Sequence, residues 1–296
     1  MSINYTNAVI FGLIIGTTAR LYMMRTDYRQ YPTYLHGKIV HVALGFIAAG
    51  LGSIFIPALL QKNYTAITFL TLAASQFREV RNMERNTMTE LDSFELVPRG
   101  KTYIEGIAVA FESRNYLVIL TSLVSTGVFL YGNWPFTVTA VLLMFAICKY
   151  LMSGKKLKDL ADIEFVQPIF VGNGLHVGTI YIMNIGHPAR QKEILDVGMG
   201  FILTPKNFNY RNSLANLGQR QAILHDTATS LGIHRDSGTP SLTPLIKRDL
   251  KDGKIGIFLL PQLRDIQKAI EVIGGVPVLE NAIKIPSERD TKENNQ

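Results

Sequence analysis

A helical membrane bundle of about five spans, followed by a small cytoplasmic α/β or α+β domain, is the fold class this sequence predicts. Three observations predict it. Long apolar runs crowd residues 1–152, whereas residues 153–285 alternate short strand-like and helix-like segments. Basic residues concentrate in every second connection between the apolar runs. Mean hydropathy is +0.17 over 296 residues, high for a protein that folds in water. A polar stretch, 286–296, lacks the apolar residues to form a core and reads as a disordered tail.

The first apolar run is Ala8–Met24. Gly12, Gly16 and Arg20 recur every fourth residue, so they share a helix face, and the glycines admit a close neighbour. Arg20 is read as snorkelling to the headgroups or pairing with an acid inside the bundle. The start of the chain has no basic stretch and no small-residue cleavage site, so this run is expected to stay as the first helix. The second run, Ile39–Leu60, carries small residues at Ala48, Ala49, Gly52 and Ser53, with Pro57 near its end. His36 and His41 at its entrance are five apart, a spacing that puts them on different faces and argues against a metal pair.

The third run starts near Tyr64 and is apolar to Phe77. It then continues without a breaker into Arg78-Glu79-Val80-Arg81, so one unbroken helix is expected to leave the membrane. Pro98-Arg99-Gly100 makes a turn. Tyr103–Phe111 follows, too short to span and with Glu105 and Gly106 at its centre; it reads as a re-entrant or interfacial element within a cytoplasmic loop, 78–114. Tyr116–Tyr131 and Phe136–Met152 are the last two runs, joined by Gly132-Asn133-Trp134-Pro135.

Orientation follows from the basic residues. Arg25, Arg29 and Lys38 follow the first run, and only Lys62 follows the second. Arg78, Arg81, Arg85, Arg99, Lys101 and Arg114 follow the third, none follow the fourth, and Lys149, Lys155, Lys156 and Lys158 follow the fifth. The positive-inside rule then puts the N-terminus outside and the C-terminal domain in the cytoplasm of a multi-pass protein of the cell membrane. The net charge of +7 is explained by these loops, so the bilayer and not nucleic acid is the expected partner.

In the second half, Glu164–Val171 and Val177–Ile185 read as strands around the turn Gly172-Asn173-Gly174. Met199–Leu203 is a strand. Ser213–Leu231 is a helix ended by Gly232, with Leu214, Leu217, Leu224 and Leu231 inward. Ile255–Leu260 is a strand, Leu263–Ile273 a helix and Val276–Leu279 a last short strand.

Chemistry has few candidates. Cys148 is the sole cysteine, which excludes an internal disulfide. No phosphate loop, zinc-helix motif or dinucleotide fingerprint occurs, so neither cofactor nor metal is expected. His225-Asp226 stands alone on one helix and reads as a surface or capping pair. Asp236-Ser237-Gly238 matches the short triplet of aspartic proteases; two aspartates must share a proton there, so a second copy of the chain would be required. Ser237 or Ser241 with Lys247 would give a serine nucleophile and a lysine base, although Thr239–Pro244 reads equally as a turn leading to a helix. Glu105 completes the set of candidate catalytic residues, with a charged cluster on 78–85 beside it. Arg211, Arg220, Arg235, Lys247 and Arg248 form either a scattered solvated face or a basic face for an acidic partner.

The hexapeptide Tyr103-Ile104-Glu105-Gly106-Ile107-Ala108 resembles the signature of the YIEGIA family. Leu217–Asp226 and Val276-Pro277-Val278-Leu279-Glu280 are similar to the family as well, so the resemblance covers most of the chain. It implies a polytopic protein of the cytoplasmic membrane of endospore-forming bacteria, connected with sporulation. It also implies a small soluble capping subunit as partner and a link to regulated proteolysis. Two readings follow: a membrane protease acting on cytoplasmic or membrane proteins under control of that subunit, or a non-enzymatic anchor that recruits cytoplasmic partners.

Overall fold

The computed structural model describes residues 5–27, 35–152, 154–234 and 244–283. The chain divides into two compact units, Met1–Thr87 with Ile107–Ser153, and Met88–Gly106 with Gly154–Gln296. The expected tail 286–296 lies outside the described residues.

The first unit is helical. Its elements are α1 (Tyr5–Asp27), α2 (Leu35–Leu60), α3 (Tyr64–Ser75), most of α4 (Phe77–Asp92), α5 (Lys101–Tyr131) from Ile107 onward, and α6 (Trp134–Leu151). Among the described residues, four helices are long and apolar enough to cross a membrane: α1, α2, α5 and α6. The third apolar run yields only the 12 residues of α3, about 18 Å of helix against an apolar layer of about 30 Å. The expected continuity into the charged stretch is nearly kept. Only Gln76, itself helical at φ −65° and ψ −19°, separates α3 from α4.

Tyr103–Phe111 is not a separate re-entrant element. It forms the beginning of α5, a single helix of 31 residues that also takes in the fourth apolar run. Nothing between the two stretches breaks a helix. Glu112 is held by Arg81 at 2.8 Å, and the Ser113 hydroxyl donates to the Val109 carbonyl at 2.9 Å, so the polar residues there are satisfied within helical geometry.

Polarity in this unit is inverted relative to a water-soluble protein. Ile14, Ile39, Phe46, Phe69, Leu72 and Leu142 are exposed, while Arg20, His41, Arg114, Asn115, Thr121 and Ser122 are buried. Small residues make that interior tight. The Ser122 hydroxyl lies 2.9 Å from the Gly12 carbonyl and 2.6 Å from that of Ala49, joining α1, α2 and α5. Arg20 does not snorkel. It is fully buried, donates to His41 Nδ1 at 3.1 Å and lies over the Phe111 ring at 5.3 Å, its stem filling the space left by Gly45.

Gly52 supplies the sharpest packing test. A β-carbon there would collide with the backbone carbonyl of Ile119 on α5, which cannot rotate away. Gly52→Ala is therefore expected to destabilise the bundle by about 1–3 kcal/mol, read as a lowered thermal midpoint of the purified full chain. Gly50→Ala, whose new atom would find nothing nearer than Leu13 Cδ1 at 4.0 Å, should leave the midpoint unchanged.

The second unit is α+β, which decides between the two classes expected, because every strand pairing among the described residues is antiparallel. Four strands, β1 (Ala161–Val166), β5 (Met199–Pro205), β6 (Leu245–Arg248) and β7 (Ile255–Leu259), form one sheet in the order β1-β5-β7-β6. A meander of β2 (Pro168–Val171), β3 (Gly174–Val177) and β4 (Ile180–Asn184) covers one face. The expected single hairpin is thus two, with a second turn at Gly178, where φ is +58°. Phe258 and Ile202 meet Leu175, Val177, Ile180 and Ile182 of the meander. By the two-residue alternation of a strand, Met199, Phe201 and Leu203 point to the other face, opposite Leu259, Ile257 and Ile255.

That second face carries helices. They are α7 (Leu157–Leu160), α9 (Phe208–Ala215), α10 (Leu217–Leu231) and α11 (Ile266–Gly275); α8 (Pro188–Val197) packs beside β2. The helix expected over Ser213–Leu231 is broken at Asn216, which ends α9 and caps α10 by accepting the Gln219 N–H at 3.1 Å. This rotates Leu217 to the surface, half-exposed, while Leu214 and Leu231 stay inside. The stretch after Pro244 is strand β6 rather than a helix, and Val276–Leu279 forms a single bridge, Lys156 to Pro277, rather than a full strand.

A buried cluster between the signature segment and helix α10

The loop from Ser93 to Gly100 is folded back by one carboxylate. Asp92, at the end of α4 and buried, accepts the backbone N–H groups of Arg99 at 2.6 Å and Gly100 at 2.9 Å. Gly100 has φ +77°, open to glycine, and its bare backbone faces the Gln221 amide. The loop so formed delivers the start of α5 onto α10. The Thr102 carbonyl would lie 3.0 Å from a β-carbon at Gly218, and Gly106 faces the Asn281 amide at 2.8 Å in the same sense. Two glycines therefore allow backbone and amide to come together, one in the signature and one on α10.

Buried and half-buried titratable groups lie there. His225 is 4% exposed, and its Nδ1–H donates to the Val97 carbonyl at 2.7 Å. Burial pushes its pKa down; the Val97 carbonyl, Glu95 and Asp92 push the other way, and Arg99 adds to the lowering. Asp226, the next residue, has its carboxyl pushed up to about 7 by burial, against the pull of the Arg99 guanidinium. Tyr103 is 1% exposed and has Asp226 and Arg99 as its electrostatic neighbours. Arg99 also reaches Glu95 at 3.6 Å and Asp92 at 4.0 Å. A carboxyl balanced near neutrality, with a buried phenol in its electrostatic reach, can accept and return a proton at cellular pH.

The sequence-derived candidates fall elsewhere or beyond view. Asp236, Ser237 and Ser241, with Arg235, lie outside the described residues. Lys247 is exposed on β6, with its ammonium 5.0 Å from the centre of the Tyr181 ring. Glu105 is on α5 two residues beyond Tyr103, which turns it through about 200° to another side of the helix, where it is half-buried and engaged. His225 is buried and Asp226 half-buried, so the two are not a surface pair. The signal was present but weak: Gly218, Gln219, Ala222, Ile223 and Thr227 form the buried stripe of α10, with small and polar residues where a core helix carries leucines.

An apolar helical unit joined to an α+β unit, with a signature helix shared by both, defines the class. The chain belongs to the YIEGIA family: the family described as YIEGIA protein matches residues 8–289. It is similar to "Uncharacterized protein YphB" of Bacillus subtilis (strain 168), 59% identical over 285 residues that cover 96% of each chain. No solved structure matches it.

Proposed function

We propose that this chain is a regulated membrane protease whose acid–base group is Asp226. The observation that carries the reading is the half-buried Asp226 carboxyl, raised to near neutrality with Tyr103 and Arg99 as electrostatic neighbours, since such shifts gather at catalytic sites. In this reading Asp226 takes a proton from a water as its oxygen attacks the peptide carbonyl, then returns that proton to the leaving amine. A small soluble capping subunit restrains the activity, and the setting is sporulation; both come from the family resemblance.

The chain is placed in the cell membrane with about five crossings, its N-terminus outside and its α+β unit cytoplasmic. The apolar exterior and polar interior of the helical unit support this. So does the pairing of α5 with α6. Two successive crossings return the chain to the side it left, as a compact unit built from 88–106 and 154–283 requires. We count α3 as a crossing together with Gln76 and the start of α4, which continue it almost unbroken, because Tyr64, Phe69 and Leu72 are exposed and need an apolar surrounding.

The test follows protein levels in cells expressing the wild type, with and without the capping subunit, beside Asp226→Asn, Tyr103→Phe, Asp236→Asn, Ser237→Ala, Ser241→Ala, Lys247→Met and Glu105→Gln. The reading expects specific proteins to disappear in the wild type without the subunit. Asp226→Asn should slow this by about 100-fold or more at unchanged abundance, and the wild-type rate should rise with pH through about 7 as the carboxylate forms. Full activity in Asp226→Asn would refute the assignment. The non-enzymatic anchor reading is favoured by Phe94 and Leu250, 88% and 84% exposed on the α+β unit. It expects partners to co-purify while no protein is lost in any strain.

A further inference from the structure

Three arginines from three elements converge on one end of the α+β unit. Arg248 closes β6 directly opposite Ile255, so it stands on the helix-bearing face of the sheet. Arg220 lies on α10, which packs against β6, six residues before Asp226 and about 240° around the helix from it. Arg211 of α9 lays its stem over Gly253 in the β6–β7 turn, where φ is +75° and a β-carbon would meet Arg211 Cγ at 2.9 Å. Its guanidinium sits 5.3 Å from the Phe208 ring centre.

None of the three has an acidic partner among the described residues. The Nε atoms of Arg220 and Arg248 are both shielded from water and meet no acceptor among the described residues. Arg220 spends one terminal N–H on the Ala215 carbonyl at 3.4 Å. The acids of the adjacent turn are taken: Asp249 accepts the Lys251 N–H at 2.8 Å, and Asp252 accepts the Lys254 N–H at 3.0 Å and pairs with its ammonium at 2.9 Å. Burial first, and then the charge of Arg248, lower the Arg220 pKa below the ordinary arginine value. Two half-buried guanidinium groups thus repel one another with no acid paired to either among the described residues, an arrangement that costs stability unless an anion joins it.

We propose that Arg220 and Arg248, with Arg211 at the rim, form a binding site for a phosphate-type dianion. The chemistry favours phosphate over a single carboxylate. Two cations are neutralised by one dianion, and a guanidinium presents paired N–H donors that match two phosphate oxygens at once. The phosphate is either that of a soluble phosphate ester or that of an anionic lipid headgroup.

The probe is inorganic phosphate at pH 7.5 and constant ionic strength, titrated calorimetrically into the full chain held in phosphatidylcholine nanodiscs. The site should bind about one phosphate per chain. Arg220→Gln and Arg248→Gln should each weaken binding by about 10-fold or more, corresponding to the loss of one charge-assisted pair. Arg264→Gln, which removes a cation bonded to the Asp196 carbonyl, should leave binding unchanged. In the absence of phosphate, Arg248→Gln should raise the thermal midpoint by a few degrees, because it relieves the repulsion; a merely structural arginine would lower it. Repeating the titration in nanodiscs containing phosphatidic acid separates the sources. Competition there supports a lipid headgroup, and unchanged affinity supports a soluble ester. Absence of saturable binding, or equal binding in all variants, overturns the site.

Discussion

Between pH 4 and pH 7 the wild-type α+β unit should lose up to about 4 kcal/mol of stability, and Asp226→Asn should lose none of this part. Asp226 has a folded pKa of about 7 against 3.8 for an unperturbed carboxyl. Between those values the folded chain holds a proton that the unfolded chain has released. Stability from this group is therefore fully present below pH 4 and lost as pH rises through 7. Asparagine, neutral at every pH, removes the dependence, so at pH 8 the variant should be the more stable protein even though it lacks the proposed acid–base group. Arg99→Gln removes the charge that pulls the carboxyl down, so the window should extend to higher pH. Thermal midpoints of the purified full chain between pH 4.5 and 8.5 check both. A wild-type profile identical to that of Asp226→Asn would show that Asp226 is solvated and ordinary. The opposed directions, lower activity with greater stability, are the signature of a group kept for chemistry.

Gln219→Ala should loosen the α+β unit by about 3–5 kcal/mol. The side chain is fully buried, and its amide is used at both ends. Nε2 donates to the Pro277 carbonyl at 3.1 Å, and Oε1 accepts the Leu279 N–H at 2.8 Å. The segment it holds is tied at its other edge to the start of the unit, where the Val278 N–H donates to the Lys155 carbonyl at 3.1 Å and the Leu157 N–H to that of Val276 at 2.9 Å. Alanine leaves two buried backbone groups without partners and a cavity beside them. Gln219→Leu fills the cavity but leaves the orphans, so it should restore only part of the loss. Gln219→Glu keeps the acceptor for Leu279 but gives up the donor to Pro277. With two units in the chain a single unfolding transition is not assured, so amide hydrogen exchange at Val278 and Leu279 is the direct readout. Unchanged protection of those amides in Gln219→Ala would show that Gln219 is not what holds the segment.

Elements whose signal is local were legible from the residues alone. Apolar length marked α1, α2, α5 and α6, and the spacing of Gly12 and Gly16 marked a close helix contact, realised where Gly16 meets Ala49 across α2. Period-two runs and turn glycines marked five of the seven strands, and Gly232 marked the end of α10 with its φ of +69°. Residues 103–108 also marked the family, because a signature is read without knowing what it touches. Features that require a distant partner emerged only in the folded chain. Arg20 is buried because His41, Phe111 and Gly45 receive it, residues of other helices that no pattern around position 20 reveals. Asn216 ends a helix because its side chain caps the next, a choice a run of good helix formers conceals. His225 and Asp226 read as ordinary polar residues of a helix until Val97, Arg99 and Tyr103, more than a hundred residues earlier, remove water from them. Burial is a property of the assembled chain, and it is burial that turns a common carboxyl into one that titrates near neutrality.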